Sequence, residues 1–597
     1  MQITIRIITP QGQRQLQAVR GESLYSCLTR GGITLDAPCG GHCFCGKCKV
    51  QIEPAGTPGE QEAALLTPQE IAQGYRLACG VRVEQPMLVR LAQHQGEAVI
   101  LAEDTAEQTQ PCLRLAWTYA QIPAGTIDES LGDRERLRQA LGVDLVPLSV
   151  LKKLPDACRA DQGRVSALLE GNRLVDIRPG HKEQPAYGLA VDIGTTTVVA
   201  YLVDLLTGRQ LQAASMMNPQ KSYGDDVISR IDYASESMAA MDTLRDKIVS
   251  GINELIGRLC RQQEISEDRI YRAVLVGNTV MIHLLAGVSP LNIARSPFIP
   301  AFIGALCMSP QESGLRIAPA ACVYTLPNVA SYVGADIVAS VMASGLDEDD
   351  KLTLVVDIGT NGEMVLGNRD RMLACSTAAG PALEGAHISC GMGGVTGAIS
   401  SVRRLGDEIS CGVIGDTAAR GLCGSGLVDA VAMLLDAGAL DETGRLDPDG
   451  GPDGWASRFT CEGRNTIFKL MDGDPAVTLS QKDIREVQLA KGAIAAGIEV
   501  LARAYGAQVN DIKRVCLAGG FGNYIDRAHA CRIGLLPAAL LDRIEGIGNG
   551  AGAGARMALL SEKEQDRAGR LARKIQYIEL SAVKEFQDLF MDKMMFE

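Results

Sequence analysis

Two kinds of hydrophobic pattern run along this chain. Residues 3–8, ITIRII, largely alternate between apolar and polar side chains, which predicts a strand near the start. Apolar runs at residues 189–193, 354–358 and 515–518 predict further strands, each followed by a turn that contains glycine. Charged and apolar residues at helical spacing lie between such runs. The pattern therefore predicts an α/β protein of several domains.

The first 92 residues have the pattern of one compact unit. Residues 2–9 and 15–19 predict a hairpin, residues 23–30 predict a short helix that ends at a glycine pair, and residues 49–53 predict a strand. The stretch CGGHCFCGKC, residues 39–48, lies between the helix and the last strand. A further cysteine, Cys79, follows about thirty residues later.

The next segment carries little chemistry. Residues 93–125 include a polar, acidic stretch and are expected to form a linker. Residues 126–185 predict a charged helix and two short strands, and hence a small middle domain of α/β type. We assign no chemical role to either segment.

An internal repeat marks the region from residue 186 to residue 597. The sequence LAVDIGTTT at residues 189–197 recurs as LVVDIGTNG at residues 354–362, about 165 residues later. In each copy an apolar strand ends in an aspartate, a glycine turn and hydroxyl or amide side chains, and a second strand then begins. One such turn is weak evidence for a nucleotide site, but two copies in one chain are strong evidence.

These turns suit a nucleoside triphosphate. Glycine lets the backbone approach phosphate oxygens, and turn amides and hydroxyls donate hydrogen bonds to them. We expect the phosphates to contact Gly194, Thr195, Thr196, Thr197, Gly359, Thr360 and Asn361. Asp192 and Asp357 are candidates to hold Mg²⁺ through water, because that ion keeps several waters. The pair Gly519–Gly520, after a third apolar strand, predicts a turn that admits a flat adenine.

Composition excludes several classes of protein. The 597 residues carry a formal net charge of −13, which disfavours a nucleic-acid partner. We find neither the charge-then-apolar order of a signal peptide nor an apolar run of the roughly 18 residues that a membrane span requires. We therefore expect a cytoplasmic protein with no membrane contact. The 18 cysteines do not fit a secreted disulfide scaffold, and most of those outside the first domain are expected to be small buried residues.

The cysteines of the first domain are spaced for a metal centre. Cys39, Cys45 and Cys48 have spacings of five and two intervening residues, and Cys79 lies alone. Structural zinc usually takes two close pairs, whereas a plant-type [2Fe–2S] cluster takes three close thiolates and one distant thiolate. The spacing favours the cluster and leaves zinc as the alternative. Cys43 is either a bystander, which we favour, or a substitute for Cys45.

The motifs carry resemblances to known families. Residues 1–92 resemble the long-loop [2Fe–2S] ferredoxins, which implies a β-grasp fold. The repeated turns and the glycine pair resemble the actin, sugar-kinase and Hsp70 superfamily, which implies two RNase H-like halves that clamp ATP over residues 186–597. With the strings NPQKSYGDDVISRI at residues 218–231, GNTVMIHL at 277–284, AGPALEGA at 379–386 and CGSGLVD at 423–429, the whole chain resembles the reductive activators of corrinoid proteins.

The resemblance implies an enzyme with a [2Fe–2S] cluster, ATP and Mg²⁺. Its reaction is the ATP-dependent return of a Co(II) corrinoid to Co(I), with the electron held at Cys39, Cys45, Cys48 and Cys79. It implies a corrinoid protein of a methyltransferase system as partner, a ferredoxin- or flavodoxin-type donor, anaerobic metabolism, and a homodimer as one arrangement. Asp192, Asp357 and Glu363 are the candidates to orient the attacking water.

Other functions fit the sequence less well. The nearest alternative is an activator of a 2-hydroxyacyl-CoA dehydratase or a benzoyl-CoA reductase, but those activators share a [4Fe–4S] cluster between two subunits. A sugar or acetate kinase gives the cluster no purpose. An Hsp70-type chaperone needs a peptide-binding domain, and an electron carrier does not need paired phosphate turns.

Overall fold

The computed structural model describes the chain except residues 1, 10–11, 32, 34, 36–42, 44–45, 47, 92–109, 129, 183, 463–464, 474–475, 523 and 597. Within the described residues, no helix combines the length and apolar character needed to cross a membrane.

The N-terminal unit is a mixed five-stranded sheet with one packed helix. Its strand order is β2-β1-β5-β3-β4, and β1 pairs antiparallel with β2 and parallel with β5. Alternating isoleucines of β1 point into the core, as the sequence pattern predicts. The elements are β1 (Gln2–Thr9), β2 (Gly12–Val19), α1 (Leu24–Arg30), β3 (Lys49–Glu53), α2 (Glu60–Ala63), α3 (Pro68–Ala72), β4 (Tyr75–Leu77) and β5 (Met87–Arg90).

The second unit is a three-stranded antiparallel sheet, β6-β7-β8, covered by short helices. Strand β6 lies in the range that the sequence assigned to a linker, yet it pairs with β7 along its full length. The small sheet therefore includes residues that we had placed outside it. The elements are β6 (Leu115–Gln121), α4 (Asp133–Leu141), α5 (Leu148–Leu151), α6 (Leu154–Ala160), β7 (Arg164–Glu170) and β8 (Arg173–Pro179).

The first half of the large domain is a six-stranded sheet in the order β11-β10-β9-β12-β14-β13. Its central strands are buried along nearly their whole length, because helices cover both faces. The elements are β9 (Tyr187–Ile193), β10 (Thr197–Asp204), β11 (Gln210–Met217), α7 (Val227–Glu236), α8 (Met238–Gln262), β12 (Ile270–Gly277), α9 (Thr279–Ala286), β13 (Cys307–Met308), α10 (Pro310–Ser313), β14 (Cys322–Thr325) and α11 (Ala335–Ser344).

The second half repeats this plan. Its sheet has the order β25-β24-β15-β16-β17-β26, with two small three-stranded sheets, β19-β18-β20 and β21-β22-β23, added to it. The strands are β15 (Thr353–Ile358), β16 (Gly362–Gly367), β17 (Met372–Thr377), β18 (Ala398–Leu405), β19 (Glu408–Val413), β20 (Gly421–Leu422), β21 (Phe459–Glu462), β22 (Asn465–Met471), β23 (Val477–Ser480), β24 (Arg514–Ala518), β25 (Ile544–Gly546) and β26 (Ile575–Tyr577).

The helices of this half are α12 (Gly424–Asp436), α13 (Gln481–Tyr505), α14 (Gly519–Gly522), α15 (Arg527–Arg532), α16 (Gly550–Leu560), α17 (Glu562–Lys574) and α18 (Phe586–Met594). Short 3-10 helices join the elements of both halves at Pro219–Tyr223, Glu267–Arg269, Leu291–Ile293, Leu346–Glu348, Pro381–Glu384, Trp455–Arg458, Val509–Asp511, Ala538–Arg543 and Leu580–Ala582.

Two helices hold the halves together. Helix α16 lies between β25 and β26 of the second sheet along the chain, but it packs against α11 and against β9 and β12 of the first sheet. The approach is close: a β-carbon at Gly554 would lie 2.2 Å from the Ala339 carbonyl oxygen. The glycine- and alanine-rich sequence of α16 is thus what lets the two helices meet between the sheets.

Candidate functional site

A cleft of about 470 Å³ opens between the two halves at the ends of their central strands. This volume lies in the usual range for a small-molecule site. The twelve residues that the sequence assigned to catalysis or nucleotide binding all line this cleft: Asp192, Gly194, Thr195, Thr196, Thr197, Asp357, Gly359, Thr360, Asn361, Glu363, Gly519 and Gly520. The structure therefore brings both repeated turns and the glycine pair to one place.

The first turn, residues 192–197, is fixed by two asparagine side chains and one arginine. A β-carbon at Gly194 would lie 2.6 Å from the Thr197 carbonyl oxygen, so only glycine fits there. Asn218 donates its side-chain amide to the Gly194 carbonyl at 2.8 Å, and Asn278 donates to the Thr195 hydroxyl at 3.0 Å. The Arg230 guanidinium donates to the Thr195 carbonyl at 2.5 Å.

These supporting residues lie in two of the sequence strings noted above, residues 218–231 and 277–284. Sequence reasoning used the strings for the family resemblance and gave them no part in the site. Their structural task is to hold the first turn, because Asn218 and Arg230 donate hydrogen bonds to its backbone carbonyls and Asn278 donates one to the Thr195 hydroxyl. Asn followed by an apolar helix is an N-cap signal, and Asn278 does cap α9, so part of this was open to prediction.

The second turn, residues 357–362, faces the first across the cleft. Asp357 and Glu363 are opposite each other in the antiparallel pair β15–β16. Because opposite residues in such a pair point to the same face, both carboxylates project toward the cleft. Thr360 is almost fully buried, whereas Asn361 is partly exposed to the cleft.

Glu384 joins the two turns. Its Oε2 atom accepts a hydrogen bond from the Thr196 hydroxyl at 2.7 Å and another from the Thr360 hydroxyl at 2.6 Å. The two hydroxyl oxygens are themselves 3.3 Å apart. A single carboxylate oxygen thus occupies the point where hydroxyls of both halves converge, which is a position suited to a phosphate oxygen. The sequence did not assign Glu384 to the site.

The carboxylates of the cleft repel one another. Asp192 accepts a hydrogen bond from the Asn549 amide at 2.9 Å, yet desolvation raises its pKa to about 6. Desolvation, with the charges of Asp192 and Glu384, raises the pKa of Asp357 to about 7. Burial and the neighbouring carboxylates also raise the pKa values of Asp336, at the start of α11, and of Glu363.

This arrangement has the features of a cation site. Glu363 is 6% exposed, and its Oε1 atom has no hydrogen-bond partner. A divalent cation near Asp192, Asp336 and Asp357 would relieve the repulsion and favour the ionised carboxylates. Asp336 was not predicted from the sequence, because a lone aspartate at a helix start gives no signal of its own.

The glycine pair forms an open platform beside the second turn. Gly519 has a φ of +87°, and a β-carbon there would lie 2.5 Å from the Asp357 Oδ1 atom. At Gly520 a β-carbon would meet no atom within 4 Å. The backbone is therefore bare at Gly520, and a flat ring has room against it there.

The described part of the cysteine motif supports a metal centre. The Cys48 and Cys79 sulfurs are 3.2 Å apart and buried, so both can bind one metal atom. Cys39 and Cys45 lie outside the described residues. Cys43 has a φ of +60°, a conformation that glycine adopts more easily, and a β-carbon at Gly80 would lie 3.5 Å from its sulfur.

A buried hydrogen bond links the N-terminal domain to the first half. The Tyr25 hydroxyl, on α1, donates to the Ser222 carbonyl in the 3-10 helix Pro219–Tyr223. This helix begins directly after Asn218, which holds the first turn. The cysteine domain is therefore in contact with the segment that supports the nucleotide turn.

Comparison with protein-family models gives four consecutive matches. Residues 8–84 match the 2Fe-2S iron-sulfur cluster binding domain, and residues 108–184 match the RACo linker region. Residues 187–349 match the RACo middle region, and residues 351–597 match the C-terminal domain of RACo, the ASKHA domain.

Two relatives and one solved structure are similar to this chain over most of its length. The chain is 35% identical over 609 aligned positions to the corrinoid activation enzyme RamQ of Eubacterium limosum, covering 99% of both chains. It is 28% identical to a [Co(II) methylated amine-specific corrinoid protein] reductase of Methanosarcina barkeri, covering 65% of this chain and 73% of the relative. A solved reductive activator for corrinoid,iron-sulfur protein superposes with a TM-score of 0.75 at 34% identity, over 100% of this chain and 98% of that one.

Proposed function

Because the chain belongs to the family of reductive activators of corrinoid proteins, we propose that it uses ATP to drive the one-electron reduction of a partner's corrinoid from Co(II) to Co(I). The observation that carries this proposal is that one chain combines a buried pair of cysteine thiols with a cleft lined by two repeated glycine turns. Neither an ATPase alone nor an electron carrier alone needs both. The dehydratase-type activator is not favoured, because the full-length relatives are corrinoid activators.

In this proposal the first domain holds a [2Fe–2S] cluster at Cys39, Cys45, Cys48 and Cys79. The 3.2 Å separation of the Cys48 and Cys79 sulfurs fits two ligands of one iron. When bound, such a cluster supplies one electron at a potential near −400 mV. The domain's own contribution is to bury these two thiolates and to hold Cys43 beside Gly80.

The cleft would bind ATP with Mg²⁺. Thr195, Thr196, Thr360 and Asn361 would donate to the phosphates, and the glycine pair Gly519–Gly520, whose backbone is bare at Gly520, would accommodate the adenine. Asp192 and Asp357 hold the cation through water, with Asp336 as a third carboxylate near them. Glu363, whose Oε1 is unpartnered, and Asp357 are placed to orient the attacking water.

Coupling is needed because the cobalt(II)/cobalt(I) couple is expected to lie below the potential of the cluster. Each 59 mV of deficit costs a factor of about ten in a one-electron equilibrium. A cleft whose two halves are joined through Thr196, Glu384 and Thr360 can take an open and a closed arrangement, and ATP would favour one of them. Binding a partner tightly in one arrangement and weakly in the other then drives the transfer.

We extend the proposal to the setting of the reaction. The partner is a corrinoid protein of a methyltransferase system, and the electron comes from a donor of the ferredoxin or flavodoxin type. The reaction takes place in the cytoplasm, and the protein acts alone or as a homodimer. The relatives' names support the corrinoid partner.

The test follows cobalt directly. A Co(II) corrinoid protein encoded near this gene is mixed anaerobically with the protein, a low-potential donor and Mg²⁺, and Co(I) is measured by its absorbance band. We expect Co(I) with ATP and little Co(I) with a non-hydrolysable analogue. Equal yields with both nucleotides would show that hydrolysis does not drive the transfer. No response to such corrinoid proteins would contradict the function itself.

The cluster ligands have their own test. Anaerobically purified protein should contain about two irons and two sulfides per chain and give an electron paramagnetic resonance signal after reduction. Cys79→Ser should abolish the signal, and the matched change Cys43→Ser should preserve it. Stoichiometric zinc without iron, from cells supplied with ample iron, would overturn the ligand assignment.

A further inference from the structure

Two cysteines meet at the edge of the first sheet, far along the chain from the metal centre. Cys307 begins β13 and is opposite Tyr324 of β14, and Cys322 begins β14. Because Cys322 is two residues from Tyr324, both cysteine side chains lie on the same face of the pair. Their sulfurs are 3.0 Å apart, which is about 1 Å longer than a disulfide bond.

The pair is reachable and lies beside arginines. Cys307 is exposed and Cys322 is partly exposed. Arg272 of β12 is the register partner of Cys322, and Arg173 of β8 donates to the carbonyl of Ala320, two residues before Cys322. Glu170 lies between the two arginines and accepts a hydrogen bond from each. A thiolate at this edge therefore faces two guanidinium groups and one carboxylate.

Cys307 differs from buried cysteines elsewhere in the chain in the direction of its pKa shift. Burial raises the pKa of Cys260 to about 11 and that of Cys516 to about 12, which keeps both as unreactive thiols at neutral pH. The hydrogen bond from Cys322, with the charges of Arg173 and Arg272, lowers the pKa of Cys307 to about 6. The pKa of Cys322 is raised, so when the pair carries a single proton, that proton lies on Cys322.

This departs from the expectation for the scattered cysteines. Cys260, Cys375 and Cys516 are buried, as expected, but Cys307 and Cys112 are exposed. A metal site at the pair is not supported, because within the described ranges no third His, Cys, Asp or Glu side chain joins Cys307 and Cys322 in a group that could bind a metal ion directly. Covalent chemistry between the two sulfurs fits the geometry better.

We propose that Cys307 and Cys322 form a redox-active dithiol whose substrates are low-molecular-weight disulfides. The Cys307 thiolate attacks one sulfur of the disulfide, forms a mixed disulfide and releases the first thiolate. Cys322 then loses its proton and attacks the Cys307 sulfur, which forms the Cys307–Cys322 bond and releases the second thiolate. The two cysteines lose two electrons, and the small disulfide gains them as two thiols.

The new bond would join the outermost strand of the first sheet to its neighbour. The two-residue strand β13 is at the edge, next to β14, and the bond would close the chain between residues 307 and 322. None of the residues that line the cleft belongs to either strand. The inference therefore does not rest on the proposed corrinoid reaction.

The first experiment uses the full-length protein as purified and reduced. Oxidised glutathione is added anaerobically, remaining thiols are blocked with iodoacetamide, and the digest is analysed by mass spectrometry. We expect a peptide cross-linked between Cys307 and Cys322. Cys461, exposed on β21, is the comparison within the same sample and should carry glutathione or the blocking group without a cross-link.

Variants separate the two steps. In Cys322→Ser the second attack is lost, so glutathione should remain on Cys307. In Cys307→Ser the reaction at Cys322 should fall at least tenfold. Because Cys307 is at an exposed edge, neither change should prevent folding, and the cross-link in the unchanged protein needs no variant. The proposal fails if both cysteines of the unchanged protein stay unoxidised while Cys461 reacts, or if a mixed disulfide at Cys307 persists without a cross-link.

Alkylation gives an independent readout of the thiolate. Between pH 6 and pH 8 the alkylation rate of an ordinary thiol rises about 70-fold, because its thiolate fraction rises by that factor. The rate at Cys307 should rise only about twofold. The groups that face it are Cys322, Tyr324, Glu170, Arg173 and Arg272. A 70-fold rise at Cys307 would contradict the dithiol.

Discussion

The two nucleotide turns occupy equivalent places in two sheets of the same plan. In each half the turn joins the first two strands of the sheet, β9 to β10 and β15 to β16, and a later parallel strand pairs with the first of them. The sequences DIGTTT and DIGTNG differ only in their last two residues. By backbone and sequence alone, the halves look interchangeable.

Their surroundings are very different. Amide side chains hold the first turn: Asn218 and Asn278 bond to it directly, and Asn549 bonds to Asp192. Around Asp357 of the second turn the neighbours are carboxylates, and the pKa values of Asp336 and Glu363 are raised more by the charge of Asp357 than by that of Asp192. Duplication has kept the fold symmetric and made the chemistry asymmetric. We therefore expect the first turn mainly to bind and the second mainly to carry out hydrolysis.

The strongest test of this difference removes one aspartate at a time. Asp357→Ala should lower the ATP hydrolysis rate about 100-fold, because it removes one of the carboxylates that we propose to hold the cation and to orient the attacking water. Asp192→Ala should lower it about tenfold and act mainly on KM, since its role is binding. Steady-state hydrolysis at several ATP concentrations measures both, and the absorbance of the cluster should be unchanged.

Asp370→Ala is the matched control, because Asp370 is exposed in the turn between β16 and β17 of the same half. It should hydrolyse ATP at the unchanged rate. Equal losses of hydrolysis rate in Asp192→Ala and Asp357→Ala would contradict the proposed difference between the two turns. A normal hydrolysis rate in the double variant would show that this cleft is not where ATP is hydrolysed.

The next test uses pH. In the empty cleft the pKa of Asp357 is about 7 and that of Asp192 is about 6, whereas aspartate in an unfolded chain ionises near about 3.9. The folded protein thus holds these protons more tightly, so the free energy of unfolding of the nucleotide-free protein should fall as the pH rises from about 4 to about 7. Asp336, Glu363 and Glu384 also face this group.

The affinity for the cation should change with pH in the opposite direction to the free energy of unfolding, because Mg²⁺ needs the ionised carboxylates. The affinity for Mg²⁺-ATP should fall about tenfold per pH unit below pH 7, where a proton must leave before the cation binds. Calorimetry between pH 5.5 and 7.5 tests this. In Asp357→Asn the decline should begin near pH 6 instead. If the affinity for Mg²⁺-ATP declines at the same pH in the unchanged protein and in this variant, Asp357 does not titrate in this range.

How much of this molecule could be predicted from the sequence depends on whether the residues of a feature are neighbours in the chain. The two turns and the glycine pair carry their chemistry in a few neighbouring residues, and all twelve predicted residues line one cleft. Asp336, Asn549 and Glu384 reach the cleft from a helix start, a loop and a 3-10 helix that are distant in sequence. No local pattern marks such residues, because only the packing of α11 against α16 and the pairing of the turns brings them there.

Strand β6 and the pair Cys307–Cys322 were also missed because their partners lie elsewhere in the sequence. A seven-residue strand next to a polar segment looks like part of a linker until β7 pairs with it. Cys307 and Cys322 look like two single cysteines until antiparallel pairing places their sulfurs together. Cross-strand neighbours depend on register, which the hydrophobic pattern of a two-residue edge strand does not specify.

The smallest expected effect concerns Glu384, which joins the two turns. Its carboxylate accepts both threonine hydroxyls at the position suited to a phosphate oxygen, and its charge contributes to the raised pKa of Asp357. Glu384→Gln keeps one acceptor oxygen and removes the charge, so ATP should bind about threefold more tightly, since one repulsion of the polyphosphate is lost. Calorimetry at pH 7.5 measures the affinity. Glu408→Gln, exposed on β19, is the control and should leave it unchanged. Weaker binding in Glu384→Gln would mean that the carboxylate supports the nucleotide, and the difference between the turns would then not extend to the residue that joins them.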